Sequence, residues 1–318
     1  MKALAKEIIE GRRLKRSEDL SFFLNANTEE LLEGANMIRK AICGNKVDLC
    51  TIINARSGRC SENCKFCAQS AHHSTGIKEY EFLDSEFILE DCKKNEDSGV
   101  HRYSIVTAGR SLEGMDFDKA VEAYSEMYKQ CSIKLCASHG LLTEKQLVRL
   151  KKAGVSMYHA NLETSKRNFP NVCTTHSYED KVNEIMLAKK VGLRVCSGGI
   201  IGMGETWEDR IDMALSLSEL EIESIPINAL MPIKGTCYGH LDPLSEDDIL
   251  RTVAIFRFIN PTAYIRMAAG RNYFKDGGTR IFLSGANATI TGNMLTTVGN
   301  NISQDKKMLT KLGFDISK

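Results

Sequence analysis

Cys60, Cys64 and Cys67 fall within eight residues, in the segment ARSGRCSENCKFCAQS, at the spacing Cys-x3-Cys-x2-Cys. Three thiolates converge on one metal centre only if the chain turns tightly, and Gly58, Ser61 and Asn63 permit that. Structural zinc takes four protein ligands, and only His72 and His73 stand near enough in sequence to complete such a set. Three soft ligands by themselves leave one coordination position open. That is the arrangement of a four-iron cluster in which one iron is free to bind something else. Iron–sulfur chemistry is the favoured reading, with a zinc knuckle as the alternative.

The wider cysteine usage agrees. Eleven cysteines occur in a chain whose N-terminus alternates charged and apolar residues and lacks the apolar core of a secretory signal. A disulfide framework is therefore disfavoured, and metal, redox or catalytic use of some cysteines is expected. No apolar run approaches the ~20 residues that span a bilayer. Lys and Arg total 42 against 41 for Asp and Glu, so there is no global pull toward nucleic acid or anionic lipid. A soluble, cytoplasmic protein is expected.

The elements that must position the cysteines follow a regular beat. Residues 1–45 read as a helical extension, with Leu31, Leu32, Ala35, Met37 and Ile38 near helical spacing and Gly44 as a stop. Short β-rich runs then appear at VDLCTIINA, YSIVTA, IKLCAS, SMYHANLE, LRVCSGGII, SIPINALM, AYIRMA and RIFLSG. Amphipathic helical patterns separate most of them. Thr143 with Gln146 matches a capping box, Ser245 can cap the helix that follows it, and Gly154 and Gly192 sit where helices should end. Eight strands alternating with helices predict an α/β fold, a (β/α)8 barrel of the TIM type over residues 46–318, for which ~250 residues is typical. A doubly wound open sheet is the competing layout. With five prolines and no linker tract, one continuous domain is expected. In a barrel, chemistry belongs at the C-terminal ends of the strands.

The cysteine triplet, with Phe66 between its last two members, resembles the radical S-adenosylmethionine (SAM) superfamily. SENCKFCAQS, HANLET at 159–164, CSGGIIGMGET at 196–206, SIPINAL at 224–230 and YIRMAAGR at 264–271 narrow the resemblance to its biotin synthase family. The likeness runs from about residue 40 almost to the C-terminus. It implies that Cys60, Cys64 and Cys67 hold a [4Fe–4S] cluster whose open iron is chelated by SAM. Reductive cleavage of the sulfonium then gives methionine and a 5′-deoxyadenosyl radical. Phe66 is implied beside the adenine, and the run Gly198-x-Ile200-x-Gly202-x-x-Glu205 resembles the adenine-contacting strand, with Ile200 in it. Asn161 and Glu163, two apart on a strand candidate and so on one side of it, are implied to face the SAM ribose and the ureido group of dethiobiotin. Asn228 is implied as a second ureido contact. His159, beside that pair, has a hydrogen-bonding or a packing role. Lys181 stands where the family commonly has an arginine near the SAM carboxylate, keeping the charge and losing the bidentate fork.

The resemblance also implies an auxiliary iron–sulfur cluster deeper in the barrel, a [2Fe–2S] centre in the family, which donates sulfur. Cys136, Cys196 and Arg266 match three of its four ligand positions. Where the common pattern has a cysteine on the second strand, this chain has Ser104, a poorer ligand for soft metals. Cys50 on the first strand is the candidate replacement if its side chain faces inward, and a larger, altered cluster then follows. The alternative is an ordinary buried strand cysteine. Cys237 is a weaker candidate, and packing or surface roles are expected for Cys43, Cys92, Cys131 and Cys173. The implied activity is sulfur insertion into dethiobiotin. The implied partners are a flavodoxin or ferredoxin as electron donor, iron–sulfur assembly machinery and a second copy of the chain. The rivals are a related radical SAM enzyme with another small substrate, and a non-catalytic iron–sulfur or zinc protein.

Overall fold

The computed structural model describes residues 1–293, 295 and 301–317. The strands are β1 (Asp48–Arg56), β2 (Arg102–Thr107), β3 (Lys134–Ser138), β4 (Val155–His159), β5 (Arg194–Cys196), β6 (Gly199–Ile201), β7 (Ser224–Ala229), β8 (Tyr264–Met267) and β9 (Ala288–Ile290). The helices are α1 (Lys2–Ile9), α2 (Phe22–Asn25), α3 (Thr28–Ile38), α4 (Ser85–Asp97), α5 (Gly114–Gln130), α6 (Glu144–Lys152), α7 (Phe169–Val172), α8 (Tyr178–Lys190), α9 (Trp207–Glu219), α10 (Glu246–Ile259), α11 (Thr279–Leu283) and α12 (Ile302–Lys311). No helix among the described residues is long and apolar enough to cross a membrane.

All strand pairings within the sheet are parallel, in the order β5-β4-β3-β2-β1-β9-β8-β7-β6. β5 also pairs with β7, through Cys196 and Ser224, which closes the sheet. β5 and β6 are one stave interrupted at Ser197 and Gly198, so the closed barrel has eight staves and the open-sheet layout is excluded. The helical signals hold at the level of single atoms. Thr143 accepts from the Gln146 amide in a reciprocal capping box, and Ser245 accepts from Asp248 N at 3.1 Å. Gly44, Gly154 and Gly192 all take positive φ after their helices, where a Cβ is penalised. In the N-terminal region Asn27 caps α3, whose buried Leu31, Leu32, Ala35 and Ile38 form one face. α3 lies against α10 so closely that a Cβ on Gly34 would meet the Phe258 ring at 2.7 Å.

Two strand expectations need correction. RIFLSG does not form the eighth strand: it lies largely in α11, with Ile281 and Phe282 buried and Phe282 edge-on to Phe314 at 5.8 Å. A short apolar run carries no periodicity that separates helix from strand. The eighth stave is β9, three residues long and paired with both β8 and β1. Likewise SMYHANLE is a strand only to His159. The chain then leaves the ladder and returns at an isolated bridge between Glu163 and Gly199.

The two surfaces of the barrel differ in chemistry. Outward positions such as Leu49, Tyr103, Ile105, Leu135, Tyr158 and Ile225 are almost fully buried, in the layer between strands and helices. Inward positions would ordinarily be filled with branched aliphatic side chains in packed layers. Here Cys50, Arg102, Ser104, Cys136, Cys196 and Arg266 point inward and line a cavity of about 360 Å³. Ile52, Val106, Met157 and Ile290 line it as well, so the interior mixes thiols, guanidinium groups and hydroxyls with apolar side chains around open space.

Candidate active site

The cysteine loop follows β1 at the C-terminal end of the strands. It is drawn tight by backbone bonds from Cys60 N to Gln69 O (3.0 Å), Ala71 N to Cys60 O (2.8 Å) and Cys67 N to Cys64 O (3.0 Å). Gly58 and Arg59 enter it with φ of 82° and 53°. Lys65 N donates to Val172 O at 2.9 Å, so the loop is pinned to the segment after β4. Cys60 is buried, Cys64 and Cys67 half-buried, and Cys67 lines the cavity beside Phe66. Phe66 packs with Val172, Met203 and Leu230, an apolar shelf that Ile200 extends. The histidines next in sequence do not join the triplet. His72 Nε2 contacts Ser61 O at 3.1 Å, and His73 Nδ1 contacts Cys67 O at 2.8 Å. Three thiols on one tight loop, with no fourth ligand from its own sequence, fit a cluster that keeps one iron open.

The middle of the cavity is built on the broken stave. Asn161 Oδ1 accepts from Gly198 N at 3.0 Å, and Asn161 Nδ2 donates to Glu163 Oε2 at 3.3 Å. Glu163 holds φ of 69°, rare outside glycine, which is a form of backbone strain that collects at functional sites. Its carbonyl accepts from Ile200 N at 2.8 Å. Enclosure in the cavity raises the Glu163 carboxyl above its ordinary value, opposed by the Lys181 ammonium. Lys181 itself donates to Glu184 Oε2 at 3.3 Å and does not line the cavity. Asn228 Nδ2 donates to Gly199 O and its Oδ1 accepts from Ala269 N, both at 3.2 Å, which leaves one N–H and one lone pair for a ligand. His159 faces the cavity with its pKa lowered to about 4 by burial, so it is neutral. Glu205 ties the turn after β6 by accepting from Gly202 N (2.8 Å) and Met203 N (2.7 Å).

These contacts depend on two glycines. A Cβ on Gly198 would lie 1.9 Å from Pro226 O, and one on Gly199 would lie 2.4 Å from Glu163 O. Because both obstacles are backbone, Gly198→Ala is expected to destabilise the protein by about 3 kcal/mol. Denaturant unfolding of the anaerobic protein measures it, and a change below about 1 kcal/mol would mean that the stave moves freely.

Toward the N-terminal ends of the strands lies the cavity floor. Cys50 faces inward, which strand parity left undecided, and shares the floor with Cys136, Cys196 and Arg266. Burial raises all three thiols, Cys136 to about 11, so a metal must displace protons to bind there. Ser104 lies in register with Cys136 on β3 and faces the same space. Arg266 Nη1 donates to Thr289 O at 2.9 Å and Nη2 to Asp48 Oδ1. Arg102 Nε donates to Asp48 at 3.0 Å, and its Nη1 has no partner among the described residues. Two buried guanidinium groups thus face one carboxylate, with an orphaned donor between them. An uncompensated buried charge is costly. The charge and the donor of this floor fit an anionic thiolate-bound cluster, which Cys50, Cys136 and Cys196 would hold.

Sequence reasoning missed Asp48 and Arg102, although a charge inside an apolar strand run was the available signal. It also placed Cys173 among packing or surface cysteines. The structure sets Cys173 Sγ 3.6 Å from Cys64 Sγ and 3.3 Å from His176 Nδ1. A Cys-x2-His spacing was visible there, but its partner lies more than a hundred residues upstream. Cys237 is exposed, 3.5 Å from His73 Nε2.

Residues 55–217 match the model of the radical SAM superfamily, and residues 226–315 match that of the biotin and thiamin synthesis associated domain. The biotin synthase of Clostridium beijerinckii (strain ATCC 51743 / NCIMB 8052) is 71% identical over 316 residues, covering 99% of this chain and 100% of that protein. That of Alkaliphilus metalliredigens (strain QYMF) is 67% identical, covering 99% of each. Among solved structures, methylornithine synthase (PylB) superposes with a TM-score of 0.86 at 20% identity, over 99% of this chain and 97% of that one. The [FeFe]-hydrogenase maturase HydG gives 0.82 at 18% identity, over 99% and 75%. These two likenesses concern the fold alone. With relatives this similar along nearly its whole length, the chain belongs to the biotin synthase family of radical SAM enzymes.

Proposed function

We propose that this enzyme inserts sulfur into dethiobiotin to form biotin, with Cys60, Cys64 and Cys67 holding the SAM-binding [4Fe–4S] cluster and Cys50, Cys136 and Cys196, beside Arg266, holding the sulfur-donating one. The observation that carries the reading is one continuous cavity reaching from Cys67 at the mouth to thiols and unmatched guanidinium charge on the floor. When loaded, the mouth centre supplies the electron that opens the SAM sulfonium, and the inner centre supplies sulfur.

The chain's own residues do the positioning. Phe66 and Ile200 offer an apolar shelf for the adenine. Asn161 and Glu163 are fixed to the broken stave and present an amide and a carboxylate to the ribose and ureido groups. Asn228 offers the remaining N–H and lone pair to the ureido group from β7, the neighbouring strand. Neutral His159 adds no charge near the reacting carbons. Lys181 neutralises its surroundings from behind Glu163, and to reach a SAM carboxylate it would have to leave Glu184. A cavity of this size encloses a small substrate and excludes bulk water, which keeps a carbon radical from being quenched. An external flavodoxin or ferredoxin as reductant, iron–sulfur assembly partners, a homodimer and a cytoplasmic setting belong to the same proposal.

The test is anaerobic turnover of the reconstituted protein with dithionite, SAM and dethiobiotin deuterated at the methyl carbon. Biotin should form, with deuterium carried into 5′-deoxyadenosine. SAM cleavage that ignores dethiobiotin, with no label transfer, would transfer the assignment to another small substrate.

A further inference from the structure

Beside the cysteine loop, three side chains from separate segments meet. Cys64 comes from the loop itself, and Cys173 and His176 come from the stretch between α7 and α8. Their donor atoms all lie within 4.8 Å of one another, and no other group of three His, Cys, Asp or Glu side chains among the described residues does so. The individual spacings are informative. A tetrahedral zinc site with Zn–S near 2.3 Å and Zn–N near 2.0 Å has an S···S edge of about 3.8 Å and an S···N edge of about 3.5 Å. Here the two sulfurs are 3.6 Å apart, and Cys173 Sγ lies 3.3 Å from His176 Nδ1. Two edges of a single-ion site are thus already in place, and the third, from Cys64 to His176, lies within 4.8 Å.

The surroundings are built to match. Glu62 Oε2 lies 2.5 Å from His176 Nδ1 and accepts from Thr175 Oγ1 at 2.9 Å and from Arg110 Nη1 at 3.2 Å. It holds the His176 ring and the Thr175 hydroxyl in place as their hydrogen-bond partner. Asn63 Oδ1 accepts from Cys173 Sγ at 3.4 Å and from Thr174 N at 2.9 Å, which fixes that thiol from the other side. The ring of His176 is held edge-on to Phe169 at 5.6 Å. Such outer partners set the orientation of metal ligands.

We propose that the cluster-free enzyme binds one zinc or ferrous ion through Cys64, Cys173 and His176, and that this ion and the [4Fe–4S] cluster exclude one another because both require Cys64. Two thiolates and an imidazole select a borderline or soft ion over magnesium or calcium. The exclusion rests on Cys64 being a cluster ligand, as proposed above; the ion site does not. The ion holds the loop's middle thiol in place until iron and sulfide arrive.

The full-length protein, stripped of clusters and kept reduced without oxygen, is titrated with Co²⁺. One equivalent should bind with sulfur-to-cobalt charge transfer and strong tetrahedral d–d bands, and Zn²⁺ should displace it. Cys173→Ser keeps volume and hydrogen bonding, and His176→Gln keeps a polar side chain. Each should weaken cobalt binding at least tenfold, whereas Cys60→Ala, Cys67→Ala and Cys136→Ala should retain it. Absence of uptake, or uptake lost in Cys60→Ala and unchanged in Cys173→Ser, overturns the site. Zinc preloaded at one equivalent should slow recovery of the cluster's absorbance in wild type and have no effect in Cys173→Ser. If zinc binds at this site and cluster assembly is not slowed, the site stands and the shared use of Cys64 is refuted. Circular dichroism of each variant separates loss of the site from loss of the fold.

Discussion

Cys67→Ala protein is expected to fold, to keep its inner iron and to lose 5′-deoxyadenosine formation by at least about a thousandfold, or about 4 kcal/mol of barrier. Cys67 is the member of the triplet that lines the cavity, the side from which SAM is proposed to reach the open iron. Truncation removes a soft donor, and the neighbouring thiol, Cys173, lies against Cys64. The His73 ring is committed on both nitrogens, to Cys67 O at 2.8 Å and to Cys237 Sγ at 3.5 Å. The loop's shape comes from backbone bonds, which alanine keeps, so the loss should be of iron and chemistry rather than of structure. Iron and sulfide analysis, the electron paramagnetic resonance of the reduced protein and chromatography of 5′-deoxyadenosine check it. A variant that still cleaves SAM at a substantial rate would remove Cys67 from the ligand set.

Cys50→Ala should behave differently. SAM cleavage should persist, and biotin formation should fall at least about a hundredfold, near 2.7 kcal/mol, because only the inner site is affected. The same chain then allows a repair. Ser104 faces the floor directly across from Cys136 in the β2–β3 register, so Ser104→Cys returns a thiol to the space that Cys50 is proposed to serve. The double variant Cys50→Ala, Ser104→Cys should regain inner iron and part of the activity, with a Mössbauer spectrum unlike that of wild type. If Cys50→Ala alone leaves the inner-iron spectrum unchanged, Cys50 is a packing residue and the floor has another ligand.

Which parts of this molecule could be read from residue order follows from the range of the forces involved. Caps and stops are local, so Thr143 with Gln146, Gly44, Gly154 and Gly192 lie where their types and spacing placed them. The alternation of strands and helices carried the barrel for the same reason. RIFLSG failed because a short buried apolar run suits either element, and three-residue β9 was too brief to register. The direction of Cys50 was not legible because polar and apolar side chains both face the cavity of this barrel, so hydropathy does not tell its two faces apart. Cys173 is buried as its expected packing role requires, but its contact with Cys64 was not legible because only closure of the whole fold makes it. Asp48 and Arg102 pair across β1 and β2, again a relation that register creates and spacing does not reveal.

The floor's charge imbalance has a consequence for the enzyme between rounds of work. Arg102 and Arg266 both donate to the Asp48 carboxylate, so two guanidinium charges share one anionic partner on the floor. Whatever fills that space is thereby coupled to the integrity of the barrel, since a ligand that binds only the native form raises its stability by mass action. If the floor holds the sulfur-donating cluster as proposed, a protein that has given up its sulfur should unfold at lower temperature than one awaiting its first substrate.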